Sequence, residues 1–208
     1  MNPDPVSHRA EGKETGSLTD DAALVAQAQA GESGAFDALV LRHQREVFAI
    51  ALRMLGNHDE AQDVAQDAFV QAYRALAGFR RDAKFSTWVI AITLNLCRNR
   101  RRWWARYRRV IVASLDEPMD TEDGTSQHEA VDPAPLPDQE AERRERSRHV
   151  VGMLQQLSES EREIIVLRDI QGHSYEEIAG LLRCRVGTVK SRLNRARLQL
   201  RALLDGTR

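Results

Sequence analysis

The sequence predicts an all-α protein of two helical domains joined by a flexible linker. Three observations carry that reading. Apolar residues recur three or four positions apart along most of the chain, the spacing of a helix's buried stripe. Helix ends are marked chemically: Ser158 with Glu161 and Ser174 with Glu177 read as capping boxes, and Gly56 and Gly172 as stops. The stretch from Ser114 to Gln139, SLDEPMDTEDGTSQHEAVDPAPLPDQ, is acidic and Pro-rich and has no apolar period. It divides the 208 residues into a first domain at 21–112, a linker at 113–140 and a second domain at 141–208. Residues 1–20, polar and aperiodic, read as a disordered tail.

The elements follow in order. Leu24, Val25 and Ala28 share one face of a first helix, which Gly31 to Gly34 interrupts. Phe36, Leu39, Val40, Val47, Phe48, Ala51 and Leu55 stripe a second, stopped at Gly56-Asn57. Asp59 is placed to cap a third, whose stripe is Val64, Ala68, Ala72 and Leu76, and Gly78 ends it. After the loop FRRDAKFSTW, Ser86 is placed to cap a fourth, with Phe85 and Ile90 as a hydrophobic staple. The β-branched run from Trp88 to Thr93 is compatible with a strand. Helix is the better reading, because Trp88, Ile92 and Leu96 continue the i+4 stripe and no turn signal follows. Beyond the linker, Leu154, Leu157, Ile164, Ile165 and Leu167 supply apolar positions. A last helix begins near Val186, with Val189, Leu193, Ala196, Leu200 and Leu203 on one face.

Composition excludes several classes. No apolar run approaches the roughly 20 residues that span a bilayer. The N-terminus has no apolar segment of the kind a secretory signal needs. Cys97 and Cys184 stand far apart, as two thiols in a reducing compartment. The six histidines include no i, i+4 pair, so no metal site is expected, and no phosphate-binding glycine loop or nucleophile context predicts catalysis or a cofactor. Lys and Arg total 30 against 31 Asp and Glu. That sum argues against nucleic acid only if charge is evenly spread, and it is not.

The charge is segmental. SYEEIAGLLRCRVGTVKSRLNRAR, from Ser174 to Arg197, has a capped helix, a tight connection at Arg183-Cys184-Arg185 and a second helix, the pattern of a helix-turn-helix. Ile178, Ala179 and Leu182 would pack on Val189 and Leu193, turning Thr188, Lys190, Ser191, Arg192, Asn194 and Arg195 outward toward phosphates and base edges. RNRRRWWARYRR places seven arginines from Arg98 to Arg109 around Trp103, Trp104 and Tyr107, as in surfaces that follow single strands. Asp59, Glu60, Gln62, Asp63, Gln66, Asp67 and Gln71 form an acidic, amide-rich face, suited to solvent or to a basic partner. These features fit a free-standing helix-turn-helix regulator or an adaptor whose acidic helix binds a protein.

Two segments break the tie by resemblance. AQDVAQDAFVQAYRALAGFRRDAKFSTWVIAITLNLCRNRRR resembles region 2 of the bacterial sigma factors of the extracytoplasmic-function class (group four), and SYEEIAGLLRCRVGTVKSRLNRAR resembles their region 4. The resemblance implies a non-catalytic specificity subunit of RNA polymerase, cytoplasmic or held at the inner membrane face, directing transcription for a stress or envelope response. It implies that Asp63, Gln66 and Asp67 dock on the β′ clamp coiled coil of core RNA polymerase, with Phe69 packed inward. It assigns Phe79, Phe85, Ser86, Thr87 and Trp88 to promoter melting, and Asn95, Arg98, Asn99, Arg101 and Arg102 to the minus-ten strand. Thr188, Lys190, Ser191, Arg192, Asn194 and Arg195 would read the minus-thirty-five element. Arg185 and Asn194 depart from the residues common at those positions. The implied partners are core polymerase (β′ clamp and β flap), promoter DNA and an anti-sigma factor, with no small-molecule substrate. The acidic linker, through Asp116, Glu117, Asp120, Glu122 and Asp123, is suited to occupying a basic channel.

Overall fold

The computed structural model describes residues 14–80, 83–114 and 137–205, and every element among them is helical. The order is α1 (Glu14–Gln29), α2 (Ala35–Leu55), α3 (His58–Ala75), α4 (Phe85–Ser114), α5 (Pro137–Gln155), α6 (Glu159–Ile165), α7 (Tyr175–Leu181) and α8 (Val186–Asp205). A 3-10 turn, Leu76–Gly78, continues α3, and a π-helical turn, Val166–Ile170, continues α6. The helix α1 begins at Glu14, inside the segment expected to be disordered. Most of the predicted linker falls on 115–136, outside the described residues.

The chemistry at the helix ends explains most boundaries. Gly31, Gly34 and Gly56 hold φ near +80°, the left-handed conformation that glycine adopts without steric cost, and they separate α1, α2 and α3. Asn57, not Asp59, caps α3: its side chain accepts from the Glu60 N–H at 3.0 Å. Asp59 sits in the first turn instead, where its charge favours the helix dipole. Ser86 lies inside α4 and is not its cap, and Phe85 and Ile90 are buried in different clusters. The β-branched run is helical; Thr93 satisfies its buried hydroxyl on the Val89 carbonyl at 2.8 Å. Both predicted capping boxes are present.

Helices α1 to α4 enclose one core cluster: Val25, Leu39, Val47, Ala68, Phe69, Ala72, Leu76, Phe85 and Val89. Asp21 ties α1 to α2 through Arg42 at 2.6 Å and His43 at 2.8 Å. The Gln29 amide donates to the carbonyls of Leu76 and Phe79, both at 2.9 Å, fixing the turn that leads into the α3–α4 loop.

The second cluster crosses between the two predicted domains. Ile50, Met54, Val64, Ile90, Leu94 and Cys97 from the first pack with Leu154, Leu157, Ile164, Leu167, Ile178, Val189 and Leu193 from the second. Arg162 is its polar centre, wholly buried, with five hydrogen bonds. It donates to the carbonyls of Leu154, Gln155 and Leu157, to the Gln155 side chain, and to the Met54 carbonyl at 2.6 Å. Met54 lies in the last turn of α2, whose carbonyls have no partner within the helix. Gln155 meets the neighbouring Arg53 carbonyl at 3.0 Å. The second domain therefore caps the C-terminus of α2, and a Cβ at Gly56 would come within 2.8 Å of Gln155.

Candidate nucleic-acid interface and docking face

The acidic face of α3 is built as expected. Ala61, Val64, Ala68, Phe69 and Ala72 turn inward, leaving Gln62, Asp63, Gln66, Asp67 and Gln71 exposed. Beside it, a cleft of about 1200 Å³ between α2 and α3 is lined by Phe36, Val40, Phe48, Gln66, Val70 and Tyr73. The cation of Arg100 approaches Asp63 at 3.8 Å, and the Trp104 indole N–H donates to Glu60, so the basic end of α4 runs alongside this acidic face.

The segment assigned to melting forms an aromatic cluster. Phe79 stacks on Trp88 at 4.6 Å between centroids, and Phe85 meets both edge-on. Phe85 is only 2% exposed and also packs against Phe36 and His43. It therefore supports the cluster from beneath, while Phe79, Ser86, Thr87 and Trp88 are half-buried at its surface. His43 backs this cluster. Burial alone would push its pKa down, but the Glu46 and Asp21 carboxylates outweigh that and hold it above the usual value.

Along α4, Asn95, Asn99 and Arg102 are exposed. Arg98 is not open to solvent in the same way. Its Nε donates to Glu163 at 2.5 Å and its Nη1 to Asn95 at 3.0 Å. The Glu163 hydrogen bond raises the Arg98 pKa against the opposing effect of burial. Arg101 also faces the second domain, reaching the Met54 carbonyl at 3.2 Å, the Gln155 side chain at 3.4 Å and Glu159 at 3.9 Å. Farther on, Trp103, Trp104 and Tyr107 are exposed, with Trp103 and Tyr107 nearly parallel at 5.1 Å.

The helix-turn-helix is complete in α7 and α8. Arg183 takes φ 50° in the connection, where the Cys184 N–H returns to the Ala179 carbonyl at 3.0 Å. Val189, Leu193 and Ala196 are buried under Ile178, which turns Lys190, Ser191, Asn194 and Arg195 fully outward and leaves Thr188 and Arg192 half-exposed. Lys190 lies over the Tyr175 ring at 5.6 Å, and Arg197 braces α8 against Asp169 at 2.5 Å.

The residues that sequence reasoning missed are Gln155, Arg162 and Glu163. Their one signal is a charged pair set directly against the apolar run Ile164 to Leu167, where solvated charge has no room. Among the described residues no cluster could hold a metal ion, and no helix is long and apolar enough to cross a membrane.

Comparison with known proteins agrees with this geometry. The family description "Sigma-70 region 2" matches residues 39–107, and "Sigma-70, region 4" matches 148–200. The chain is 40% identical over 177 residues to the RNA polymerase sigma-H factor of Pseudomonas aeruginosa, covering 85% of this chain and 90% of that one. It is 38% identical over 179 residues to the ECF RNA polymerase sigma-E factor of Escherichia coli K12, with the same coverage. Among solved structures it resembles CnrH in complex with the cytosolic domain of CnrY, at 31% identity and TM-score 0.64 over 90% of this chain and 98% of that one. It also resembles the sigma factor RpoE in complex with the anti-sigma factor NepR from Bartonella quintana, at 28% identity and TM-score 0.58 over 84% and 99%.

Proposed function

The chain belongs to the sigma-70 family, in its extracytoplasmic-function class, and from that premise we propose how its surfaces divide the work of promoter-specific initiation. The exposed face of α3, through Asp63, Gln66 and Asp67, docks core RNA polymerase at the β′ clamp. The α8 face, through Thr188, Lys190, Ser191, Arg192, Asn194 and Arg195, enters the major groove of the minus-thirty-five element. Asn95, Arg98, Asn99, Arg101 and Arg102 hold the minus-ten strand, and the cluster of Phe79, Ser86, Thr87 and Trp88 over Phe85 captures unstacked bases.

The energetics of this division are self-consistent. Unstacking costs a few kcal/mol per step. Stacking a freed base on an aromatic ring returns about 1–3 kcal/mol. Strand separation then needs no nucleotide hydrolysis from this chain, which acts as a non-catalytic specificity subunit in the cytoplasm. An anti-sigma factor restrains it, as a relative's complex with NepR supports for that protein.

The observation that carries the reading is the pairing, in one molecule, of an outward cationic recognition helix with a second polar, arginine-bearing helix that begins at an aromatic cluster. The test is reconstitution. The chain and core polymerase select templates from a promoter pool with randomised upstream sequence, and permanganate reactivity is read on the selected templates. Melting that requires both components is the expected result. Tight sequence-specific binding by the chain alone, without melting, would instead identify a free-standing regulator.

A further inference from the structure

Base capture is assigned to the start of α4 and the aromatic residue that precedes it, yet the backbone of that residue is held from α1. Gln29 is the last residue of α1 and lies before the stretch matched as region 2, which begins at residue 39. Its side-chain amide makes two hydrogen bonds, to the carbonyls of Leu76 and Phe79, each 2.9 Å long. An amide group has two N–H donors, and both are directed at the end of α3.

Those two carbonyls bracket the place where the chain leaves the helix. Leu76 opens the 3-10 turn, and its carbonyl also accepts from the Phe79 N–H at 3.0 Å. Phe79 is the first extended residue after the turn, with φ −72° and ψ 113°. A peptide unit is planar, so holding the Phe79 carbonyl holds ψ of Phe79 and the direction in which the loop departs. The N–H and the carbonyl of Phe79 are then both fixed, and with them the backbone that carries its ring. That ring lies 4.6 Å from Trp88 between centroids, 25° from parallel. Trp88 is set by α4, so Gln29 acts on the stacked pair through the backbone of Phe79.

Helix α1 can serve as an anchor because it is itself fixed. Val25 is 1% exposed in the core, and buried Asp21 is bound to Arg42 and His43. Asp21, Ala22 and Val25 also line the cavity of about 790 Å³ that Phe79, Thr87 and Trp88 line. We propose that Gln29 is a positioning residue for base capture: its amide holds Phe79 in stacking register with Trp88, so that an unstacked minus-ten base meets a preformed aromatic surface. Such a surface loses little ordering entropy when the base arrives. This inference rests on the base-capture role proposed for the aromatic cluster.

Two arms test it in the full chain. In the first, Gln29→Met keeps the length of the side chain and removes both donors. With core polymerase on the selected promoter, melting read by permanganate should fall about tenfold, the order expected for two lost hydrogen bonds. The ratio of melting on that promoter to melting on templates changed at single minus-ten positions should fall with it. Binding to core polymerase and to minus-thirty-five duplex should stay within twofold, which a general loss of structure would not allow. Gln29→Lys keeps donors within reach of both carbonyls and should melt within threefold of wild type. Three results overturn the proposal: normal melting by the Met variant, a loss of core binding in proportion to melting, or a Lys variant as impaired as the Met one.

The second arm asks whether the effect passes through Phe79. Phe79→Ala should itself impair melting, and adding Gln29→Met should lower melting less than twofold further, because the ring that Gln29 positions is gone. Fully additive defects overturn the proposal. An impaired Phe79→Ala beside a normal Gln29→Met refutes the role of Gln29 and leaves the base-capture reading standing. Normal melting by Phe79→Ala refutes the capture role of Phe79 and the role of Gln29 with it. No melting by the unaltered chain refutes the promoter reading as a whole.

Discussion

Replacing Arg162 by Met should cost about 3–5 kcal/mol of stability. The substitution removes five hydrogen bonds from a wholly buried guanidinium, four to backbone carbonyls and one to the Gln155 side chain. At about 1.5–3 kcal/mol for each bond to a charged group, a naive sum would exceed the total stability of many domains. The sum overstates the loss for two reasons. The carbonyls of Leu154, Gln155 and Leu157 lie at the turn from α5 to α6, where water can reach them once the interface loosens. The Met side chain also refills part of the volume. What remains is comparable to stripping one member from a buried ionic site, about 3–5 kcal/mol. Urea denaturation measures it: at a slope of about 2 kcal/mol/M the midpoint should fall by roughly 2 M. Arg162→Lys should recover less than half, because an ammonium offers three donors from one point where the fork offers five in a plane. A Met variant within about 1 kcal/mol of wild type, or full rescue by Lys, would refute the role given to the fork.

Four further outcomes are expected. Charge reversal at Asp63 and Asp67 should weaken core-polymerase binding at least tenfold in gel-shift or anisotropy assays, with an unchanged melting temperature, since both side chains are exposed. Lys190→Ala and Arg195→Ala should each weaken binding to selected minus-thirty-five duplex, and removing one phosphate-binding cation should reduce the salt slope by about 1. His43 faces Asp21, which also pairs with Arg42, and Glu46, and its folded pKa is raised. Its stabilising contribution is therefore complete below about pH 6.5 and lost as pH rises through the raised value, so the melting temperature of wild type should fall from pH 6 to pH 8 relative to His43→Gln. Burial first, then the Glu163 carboxylate, pushes the Cys97 thiol up to about 12, leaving on the order of one molecule in ten thousand ionised at pH 8. A thiol reagent should therefore modify partly exposed Cys184 long before Cys97, as peptide mapping would show.

The elements are legible in the sequence because their determinants are local. Capping boxes at Ser158 and Ser174, a helix-turn-helix whose apolar and cationic faces alternate with helical period, and an exposed acidic stripe on α3 are all written within one or two turns of chain. The two caps that differ from expectation differ for the same reason. Asp59 and Asn57 are both good capping types two residues apart, and only backbone geometry decides that Asn57 takes the extended conformation. Ser86 does not cap α4 because that helix starts one residue earlier, at Phe85. The contact between domains has no local signature. Nothing in the neighbourhood of Met54 says that its carbonyl will meet an arginine 108 positions later. The division into independent domains follows from the linker's composition, which describes the connection and not what the connected parts do to each other.

Charge balance shows the consequence. A net charge of −1 first reads as indifference to nucleic acid. In the folded chain the balance is local: Glu163 answers Arg98, Asp63 approaches Arg100, Glu159 reaches toward Arg101, Glu177 faces Lys84 and Asp169 braces Arg197. The buried Glu163 pair differs in kind from the others, which are exposed enough that solvent screens them to a small net effect. Opening the interface would free Arg98 for a phosphate and leave Glu163 to be solvated. Freeing Arg98 therefore means breaking a pair that the fold has already partly desolvated. On α8 the charges divide: Arg197 is paired with Asp169, while among the described residues no carboxylate pairs with Lys190, Arg192 or Arg195. The arrangement of the acidic residues, and not their total of 31, decides which cations of the folded chain are paired.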